Sequence, residues 1–503
     1  MPEVLARIRA GGAYVPRLRL PRARIQEAMG WLAPPTNRGG RGARAICNWD
    51  EDALTLAVEA ARDCLQPPEV VAGRPVATVI LASTTLPFSD RSNATLLAAA
   101  LDLPTAVATL DVTGTLRCGV AALVQAARNT VDETLVVAAD ARLARPGSLQ
   151  EQDFGAAAVA YLVEPGRRDS RGECAGGPVL AEVLATAHRA ADFVDHYRMS
   201  GEAFDYALEE RWVRDAGLSK LVPEAIAAAL QAAGLTPDQI QHAVLPGSST
   251  ASQRLAQVAG LSGSQLQDSL RADCGDSGAA HPLLMLAAVL EVAAPGQNIL
   301  LASFGQGVDA VVLRVPERHG HERSELSPRP LVSSALQRRF EETSYTRYLA
   351  HRGLLLADFG MRAERDNRSA HSTAWRKNRQ ITGFIGGRCA QCSTVQYPLS
   401  RVCVNPDCRR ADTQEQFRLA ETHGRVKSFT EDWQAYSPRP PAIYGNVEFE
   451  PGGNLLMDFT DLEAGELHVG DRVRFVFRIK DIDRARGFRR YFWKATPATS
   501  PRT

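Results

Sequence analysis

The sequence predicts an α/β protein in which two similar halves are followed by a helix, a zinc ribbon and a small β-barrel. Three observations lead to this prediction. Strand-like and helical segments alternate up to Val315, a group of cysteines begins at Cys389, and short alternating strands follow it. A chain of 503 residues with 45% hydrophobic residues can bury several cores, so we expect two or three domains.

The composition excludes several classes of protein. The 58 basic and 57 acidic residues nearly cancel and form no dense basic stripe, so we expect no nucleic-acid partner. No apolar run reaches membrane-spanning length and the first residues do not resemble a signal peptide, so we expect a cytoplasmic protein without a membrane partner. Nine cysteines, some clustered late, fit a metal site in a reducing compartment better than a disulfide framework.

The first half contains an amphipathic helix and several buried strands. Acidic residues from Asp50 to Asp52 precede a helix whose apolar positions recur at Leu54, Val58 and Leu65. Apolar, β-rich runs predict four strands: 76–82, 106–110, 135–139 and 156–163.

A strand-to-helix elbow follows the second of these strands, between Asp111 and Leu123. The helix that leaves it, Ala121 to Arg128, is rich in alanine. A cysteine in the first turn of such a helix has a lowered pKa, because unpaired N–H groups and the helix dipole stabilise its thiolate. The elbow is therefore where a nucleophile for thioester chemistry would lie.

The second half repeats the plan from about Val179. Pro223 and Gly234 bracket a helix over 224–233, and Thr236 to Asp238 opens another short helix. A strand over 242–245, a helix over 283–292 and strands over 299–302 and 310–315 complete this half.

The elbow, the run Tyr14-Val-Pro-Arg-Leu-Arg-Leu-Pro and the run Asn48-Trp-Asp-Glu-Asp-Ala-Leu-Thr-Leu-Ala-Val-Glu-Ala-Ala together resemble the thiolase superfamily. The resemblance is closest to 3-hydroxy-3-methylglutaryl-CoA synthases and type III ketoacyl synthases, and it extends from Met1 to Val315. It implies a duplicated, five-layer thiolase-like fold.

The resemblance also implies positions for catalytic residues, and this chain has other residues there. Leu116 stands at the position of the nucleophilic cysteine, Gly247 at that of the histidine and Asp276 at that of the asparagine. Thr84 stands where methylglutaryl-CoA synthases have a catalytic glutamate. Cys118 follows two residues after Leu116, which turns its side chain by about 200° around the helix.

A second interpretation is that the catalytic groups have moved to other positions. Cys118 or Cys274 would then act as the thiolate, with Asp276 or His281 as the base. Each of the four also has an ordinary structural explanation. Cys118 and Cys274 would be small side chains packed in the interior. Asp276 would bind its own turn, and His281 would cap a helix or lie in the core with its hydrogen bonds satisfied.

Polar residues after Pro316 predict a linker, and a helix from Ser334 to about Leu356 follows it. This helix would need a surface to lie on, with Leu336, Phe340, Tyr345 and Leu349 as docking residues.

Four cysteines then predict a closed metal site of structural type. Cys389-x-x-Cys392 and Cys403-x-x-x-x-Cys408 provide four thiolates from two short knuckles, which fits tetrahedral Zn(II) without an open position. The alternatives are two disulfides or an iron centre of rubredoxin type.

Alternating runs after the cysteines predict the strands of a small barrel, over 424–430, 454–460, 472–477 and 491–495. The order of helix, zinc ribbon and barrel resembles the DUF35-type OB-fold proteins that accompany thiolases and methylglutaryl-CoA synthases as separate subunits. OB-folds often bind nucleic acid, but the balanced charge argues against that function here.

The predicted domain boundaries follow from these segments. They are 1–165 (first thiolase-like half), 166–316 (second half), 317–334 (linker), 335–380 (docking-helix region), 381–415 (zinc ribbon) and 416–503 (OB-fold barrel).

These expectations lead to a hypothesis of a non-catalytic or structural subunit in a hetero-oligomeric acyl-CoA thiolase or acyltransferase complex. Its partners would be a catalytic thiolase or acyltransferase chain, bridged through the OB-fold barrel, and a second copy of the thiolase-like body. The cofactor would be structural Zn(II), with a coenzyme A thioester as a second candidate ligand. One alternative is an active acyl-CoA condensing or C–C cleaving enzyme with relocated residues such as Cys118 or Cys274, and another is an acyl-CoA binding protein.

Overall fold

The computed structural model describes residues 4–32, 40–66, 75–129, 131–166, 179–207, 209–317, 330–364, 366–368 and 370–498. The chain forms two compact units. The first unit, which we call the body, comprises Met1–Cys47, Asp52–Thr95 and Thr105–Tyr345. The second, which we call the C-terminal unit, comprises Asn48–Glu51, Leu96–Pro104 and Thr346–Thr503.

The body contains fourteen strands among the described residues. They are β1 (Ala6–Tyr14), β2 (Leu18–Pro21), β3 (Ala43–Ala45), β4 (Thr78–Ala82), β5 (Ala108–Val112), β6 (Thr134–Ala141), β7 (Ala156–Pro165), β8 (Ala181–Ala190), β9 (His196–Tyr197), β10 (Tyr206–Ala207), β11 (His242–Val244), β12 (Asn298–Phe304), β13 (Gly307–Arg314) and β14 (Phe340–Glu341).

The α-helices of the body, again within the described part, are fewer. They are α1 (Arg22–Met29), α2 (Ala53–Leu65), α3 (Asn93–Ala100), α4 (Cys118–Arg128), α5 (Leu149–Asp153), α6 (Glu210–Trp212), α7 (Ser219–Ala233), α8 (Ser249–Val258), α9 (Arg271–Cys274), α10 (His281–Val292) and α11 (Ser333–Gln337). Of α3, the residues up to Thr95 belong to the body and those from Leu96 belong to the C-terminal unit. None of the described helices of the chain is both long and apolar enough to cross a lipid bilayer.

The main sheet of the body shows the internal duplication. Its strand order is β11-β12-β13-β8-β1-β7-β6-β4-β5. The run β1-β7-β6-β4 has the same sequence of antiparallel, antiparallel and parallel pairings as β8-β13-β12-β11. β5 extends the sheet in the first half. At the corresponding place in the second half, the described residues show a single parallel bridge from Ala243 to Leu266. The two halves meet where β1 pairs with β8.

Two helices fill the space between the halves. Apolar side chains of α4 and α10 lie in one core cluster with strand residues of both halves, such as Val136 in β6 and Leu301 in β12. Gly119 in α4 lies so close to the backbone of Ala279 that a Cβ there would be 2.2 Å from the Ala279 carbonyl oxygen. The body therefore has the mixed α/β architecture with a central helical layer that the thiolase resemblance predicts.

Local sequence explains why α2 begins at Ala53. The Asp52 side chain accepts a hydrogen bond from the Thr55 N–H at 3.1 Å, and the Thr55 hydroxyl lies 2.9 Å from the Asp52 N–H. This reciprocal cap satisfies donors that the first turn leaves unpaired. The apolar face of α2 then packs against β1 and β7.

The single helix predicted from Ser334 to Leu356 is wrong. The segment forms α11, then the short strand β14, then a helix that begins at Tyr345. Phe340 donates a backbone hydrogen bond to the Arg17 carbonyl at 2.8 Å, as Glu342 does to Arg19 at 2.7 Å, so strand pairing replaces helical hydrogen bonds. Most of the predicted linker, residues 318–329, lies outside the described residues.

The C-terminal unit contains short helices and two sheets. Its elements are α12 (Tyr345–His351), α13 (His371–Arg376), α14 (Asn378–Ile381), β15 (Ile385–Cys389), β16 (Val395–Gln396), β17 (Gln414–Arg418), β18 (His423–Asp432), β19 (Ala442–Phe449), β20 (Asn454–Asp458), β21 (Arg472–Asp483) and β22 (Phe488–Pro497). One sheet has the order β16-β15-β17 and the other β20-β19-β18-β21-β22. The strand β19 is absent from the sequence prediction.

The five-stranded sheet curls towards closure. A parallel bridge joins Phe459, just after β20, to Ala495 in β22, and these are the two outer strands of the sheet. Aromatic side chains fill the interior: the ring of Phe384 stacks on Trp493 with centroids 5.8 Å apart and contacts Phe475 edge-on at 5.4 Å. The sheet therefore forms a small barrel-like structure around an aromatic core.

Buried charges also belong to the interior of the C-terminal unit. Lys494 donates to Asp50 at 2.9 Å, and the guanidinium of Arg478 pairs with Glu51 at 3.1 Å and with Asp461 at 2.8 Å. The side chains of Asp50 and Arg478 are fully buried. Because a buried charge is costly without a partner, residues 48–51 are needed by the barrel although they lie far from it in sequence.

Candidate active site of the body and cysteine cluster

The elbow joins the two halves of the body. The Thr115 hydroxyl donates to the Gly305 carbonyl at 2.6 Å, and Arg117 Nε donates to the same oxygen at 3.1 Å. Arg117 also pairs with Asp309 in β13 at 2.7 Å. A Cβ on Gly305 would lie 2.7 Å from the Thr115 hydroxyl, so the close approach requires glycine. We call the space around this contact the elbow site.

Leu116 is half-buried between these two hydrogen-bonding residues. Its side chain has no group that can be acylated. The strand β4 runs parallel to both β6 and β5, and β5 enters the elbow. Because parallel strands end at the same edge of a sheet, the loops after β4 and β6 belong to the elbow site.

Cys118 lies in the first turn of α4 but faces the core. It is fully buried, and burial together with the nearby Asp140 charge raises the pKa of its thiol well above the ordinary value. The helix N-terminus therefore does not produce a reactive thiolate here, because desolvation has the larger effect.

Asp140, at the end of β6, connects three parts of the elbow site. Its carboxylate accepts hydrogen bonds from the hydroxyls of Ser83 at 2.9 Å and Thr84 at 2.9 Å. It also accepts from the Thr85 hydroxyl at 2.8 Å and the Ala279 N–H at 2.8 Å. Thr84 is therefore a donor to a buried carboxylate and does not act as a base.

Gly247 follows β11 in a left-handed conformation with φ of 99°. It supplies no side chain, so the histidine function that the resemblance implies has no counterpart at this position. Ala251 would lie 3.0 Å from a Cβ placed there.

Asp276 is held in an ion pair. Arg271 lies 2.5 Å from its carboxylate and also pairs with Asp153 at 2.6 Å, while the Gly278 N–H donates to Asp276 at 2.9 Å. Burial would raise the pKa of Asp276, but Arg271 and other nearby cations lower it below the ordinary value. The carboxylate is therefore ionised and fully engaged.

His281 and Cys274 lie near Asp276 and are both buried. Burial lowers the pKa of His281, whose Nδ1 accepts from the Ser277 N–H at 3.3 Å. Burial raises the pKa of Cys274 to about 12, and its thiol donates to the Leu270 carbonyl at 3.2 Å. The structure thus brings Asp276 and His281 together and keeps both predicted thiols, Cys118 and Cys274, protonated and out of solvent.

Sequence reasoning missed Asp140 and a histidine–aspartate pair, Asp195 and His196, in the segment after β8. Asp140 had a signal in the sequence, since it is a single acidic residue at the end of the apolar run that begins at Leu135. The pair lies in a short stretch of mixed apolar and charged residues without helical or strand periodicity, where no pattern distinguishes it from a loop.

The four late cysteines form a compact sulfur cluster in the C-terminal unit. All four sulfurs lie within 4.8 Å of one another, with Cys389 and Cys408 at 3.8 Å and Cys392 and Cys403 at 3.6 Å. These separations are too long for disulfides, whose S–S distance is about 2.05 Å. They match tetrahedral ligation, because metal–sulfur bonds of about 2.3 Å place the sulfurs roughly 3.8 Å apart. The donor set therefore fits a metal ion.

A cavity of about 680 Å³ also lies within the C-terminal unit. Its charged lining is largely paired: Lys480 with Asp458 at 3.0 Å and Arg486 with Asp483 at 2.8 Å. Neither sign of charge dominates, so the cavity does not indicate a class of ligand.

No protein-family model matches the chain. A hydroxymethylglutaryl-CoA synthase of Aeropyrum pernix is 27% identical over 365 residues, which is 71% of this chain and 96% of that protein. Among solved structures, 3-oxoacyl-(acyl carrier protein) synthase III of Pseudomonas aeruginosa PAO1 has a TM-score of 0.52 at 20% identity, covering 63% of this chain and 99% of that one. An HMG-CoA synthase complexed with CoA has a TM-score of 0.56 at 17% identity, covering 69% and 89%.

These comparisons establish a mixed α/β thiolase-like fold of the HMG-CoA synthase and synthase III type. They also contradict the prediction of a non-catalytic bridging subunit. The likeness covers almost the whole length of a condensing enzyme, rather than one fragment of it. The prediction was wrong because it took the three replaced positions, Leu116, Gly247 and Asp276, as sufficient evidence against catalysis.

Proposed function

We propose that this chain is an enzyme that forms or cleaves a C–C bond in an acyl-CoA thioester. The observation that carries the proposal is the 27% identity to a hydroxymethylglutaryl-CoA synthase over 96% of that protein's length. The elbow, the turns that contact it and the central helices lie between Met1 and Val315, the part of the sequence that resembles the thiolase superfamily.

The geometry favours proton transfer over an acyl-cysteine. Leu116 offers no nucleophile, and the Cys118 and Cys274 thiols are buried with raised pKa values. An aldol-type step needs no covalent intermediate: a base removes a proton, and hydrogen-bond donors stabilise the enolate. The hydroxymethylglutaryl group named in the relative is a 3-hydroxyacyl group, which is the product of such an addition.

The proposed ligand is a coenzyme A thioester bound at the elbow site. Support comes from the HMG-CoA synthase complexed with CoA, whose fold the body shares. The proposal places the thioester next to the contact between Thr115 and Gly305, where both halves of the body meet.

For the C-terminal unit we propose a zinc ribbon joined to an OB-fold barrel. The sulfur cluster with its 3.6 and 3.8 Å separations supports structural Zn(II), held by Cys389, Cys392, Cys403 and Cys408. The ion would stabilise a small element that has little core of its own. The curled five-stranded sheet supports the barrel.

We also propose that the body forms a dimer with a second copy. β5 is one of the two edge strands of the main sheet, and Leu110 in β5 is 52% exposed. An edge strand of this kind can pair with its copy in a partner. A separate thiolase or acyltransferase chain stays a prediction from the sequence.

The experiment is to incubate the purified full-length chain with acetyl-CoA and acetoacetyl-CoA, and separately with 3-hydroxyacyl-CoA thioesters of increasing chain length. Mass spectrometry would follow 3-hydroxyacyl-CoA formation and cleavage. Gly305→Val serves as a variant with a blocked elbow site, because its side chain would collide with Thr115. We expect turnover by the native chain and none by the variant; no turnover by the native chain with any of these thioesters would refute the proposal.

A further inference from the structure

The segment after β8 is fastened to both sides of the elbow site. The Phe193 ring contacts Phe304 edge-on with centroids 5.9 Å apart, and Phe304 directly precedes Gly305. Five residues later, the Arg198 guanidinium donates to the Thr84 carbonyl. The residues between these two anchors therefore extend from the turn at Gly305 to the turn at Thr84.

A histidine–aspartate pair lies between the anchors. His196 Nδ1 is 2.9 Å from the Asp195 carboxylate, and the two side chains are 19% and 9% exposed. A carboxylate accepts hydrogen bonds, so Nδ1 carries the hydrogen in the neutral imidazole and Nε2 keeps a free lone pair. Within the described part of the chain, Nε2 of His196 makes no hydrogen bond.

The pair lies on a short hairpin that ion pairs connect to the end of β6. His196 belongs to β9, which pairs with β10 through Ala207. Asp205 next to β10 accepts hydrogen bonds from Arg198 at 3.1 Å and from Arg142 at 2.7 Å. Arg142 follows β6, so the hairpin is tied to the strand that carries Asp140.

Several hydrophobic side chains of the segment that carries the pair are exposed. Exposed hydrophobic side chains on this segment are Val194, Tyr197, Met199, Tyr206 and Trp212. Such a group of exposed apolar side chains often marks a binding site, and an acyl chain is a ligand of matching chemistry.

Four other acid–base groups around the elbow site are engaged or buried. One of them, His188, pairs with Asp309 at 2.9 Å, and its Nε2 contacts Arg128. Asp140 accepts hydrogen bonds from three hydroxyls, and Asp276 is paired with Arg271. His281 is 6% exposed. His196 combines partial exposure, a fixed tautomer and a free nitrogen, and it is tied to both walls of the site.

We infer that His196 is the catalytic general base of the elbow site, and that Asp195 is the positioning residue that fixes its tautomer. This inference rests on the proposed function. In the cleavage direction Nε2 takes the proton of the 3-hydroxyl group, and the bond between the α and β carbons breaks. The electron pair of the broken bond forms the thioester enolate, while the carbon that carried the hydroxyl group becomes a carbonyl. The imidazolium then returns the proton to the α carbon, so no other reactant is consumed.

The test measures proton abstraction alone. Full-length protein is incubated with acetyl-CoA or propionyl-CoA in D₂O, and mass spectrometry follows deuterium at the α carbon. We expect exchange by the native chain and a loss of about a hundredfold or more in His196→Ala, with unchanged affinity for the thioester. Added imidazole should restore part of the exchange by the variant, because it replaces the missing base.

His242→Gln is the matched control. His242 lies at the start of β11 and bonds only Gln297 among the described residues, at 2.9 Å, so we expect native exchange rates. Asp195→Asn should lower exchange without changing thioester affinity, and Asp195→Glu should recover part of it. Unaltered Asp195→Asn kinetics would contradict the positioning role.

The outcomes separate the two proposals. If the native chain exchanges or cleaves thioesters and His196→Ala does so equally fast, His196 is not the base and the proposed function still stands. If His196→Ala is inactive but imidazole has no effect, its role is structural and the inference fails. If the native chain neither exchanges nor turns over any thioester, both proposals fail.

Discussion

The carboxylate of Asp140 accepts a hydrogen bond from the backbone N–H of Ala279 at 2.8 Å, across 139 positions of sequence. The same carboxylate holds the hydroxyls of Ser83, Thr84 and Thr85. One buried side chain therefore fixes the relative position of two turns, one from each half, at the site where the resemblance places the chemistry.

Asp140→Asn should destabilise the protein by about 3 kcal/mol. The substitution turns one carboxylate oxygen, which accepts hydrogen bonds from hydroxyls, into an NH₂ group, which can only donate. Urea denaturation would measure the change in the free energy of unfolding. Asp132→Asn, at an exposed position, serves as the control and should differ from the native chain by less than about 0.5 kcal/mol. If Asp140→Asn and Asp132→Asn unfolded at the same urea concentration as the native chain, the proposed role of Asp140 would be contradicted.

Leu116→Cys should create a thiol that can be acylated. Leu116 is half-buried at the N-terminal end of α4, where a thiolate is stabilised by the helix. Incubation with radiolabelled acetyl-CoA followed by peptide mapping should show label at residue 116 of the variant. The native chain should carry none, and label on native Cys118 or Cys274 would show that a buried thiol becomes exposed during the reaction.

Metal analysis of the purified protein should give about one zinc per chain, with no visible absorption from iron. Cys389→Ser and Cys403→Ser should each lose the metal and destabilise the C-terminal unit, because three ligands leave the tetrahedral site incomplete. Cys64→Ala, a buried cysteine of the body, is the control and should keep the metal. Full metal content in both serine variants would refute the assignment.

The pair of Asp276 and Arg271 predicts a pH dependence. The pKa of Asp276 is lowered in the folded protein, so its contribution to stability is complete above the unfolded value of about 3.9 and decreases as pH falls below it. The difference in unfolding free energy between the native chain and Asp276→Asn should therefore narrow between pH 5 and pH 3. Urea denaturation would measure the unfolding free energy of both proteins at each pH. A difference that stays constant between pH 5 and pH 3 would contradict an ionised Asp276. Exposed Asp238→Asn is the control.

Local patterns predict much of the fold. Period-two and apolar runs identified the strands that became β4, β6, β7 and β12, because buried strands of a parallel or mixed sheet are continuous apolar stretches. The helix after Asp52 was identified from its acidic start and apolar spacing. The helix from Ser334 was not predicted correctly, because a backbone pairing with β2 more than three hundred residues earlier decides its structure.

The candidate site was predicted only in part. The elbow and its departures from the resemblance could be identified from sequence because they rest on short spacings around Leu116 and Asp276. The roles of Asp140 and His196 depend on contacts between segments that are far apart in the chain, such as Arg198 with Thr84. Sequence patterning carries no information on such contacts.

Because Asn48–Glu51 belongs to the C-terminal unit, that unit cannot be expressed intact as one continuous late fragment of the chain. A fragment that starts after the linker would contain Lys494 and Arg478 but lack Asp50 and Glu51, two of the carboxylates that neutralise them. Inside its barrel, such a fragment would leave Lys494 without Asp50 and Arg478 with Asp461 but not Glu51, so it should be recovered mainly as insoluble material. Expressing the late segment alone therefore cannot report what it does in the intact molecule.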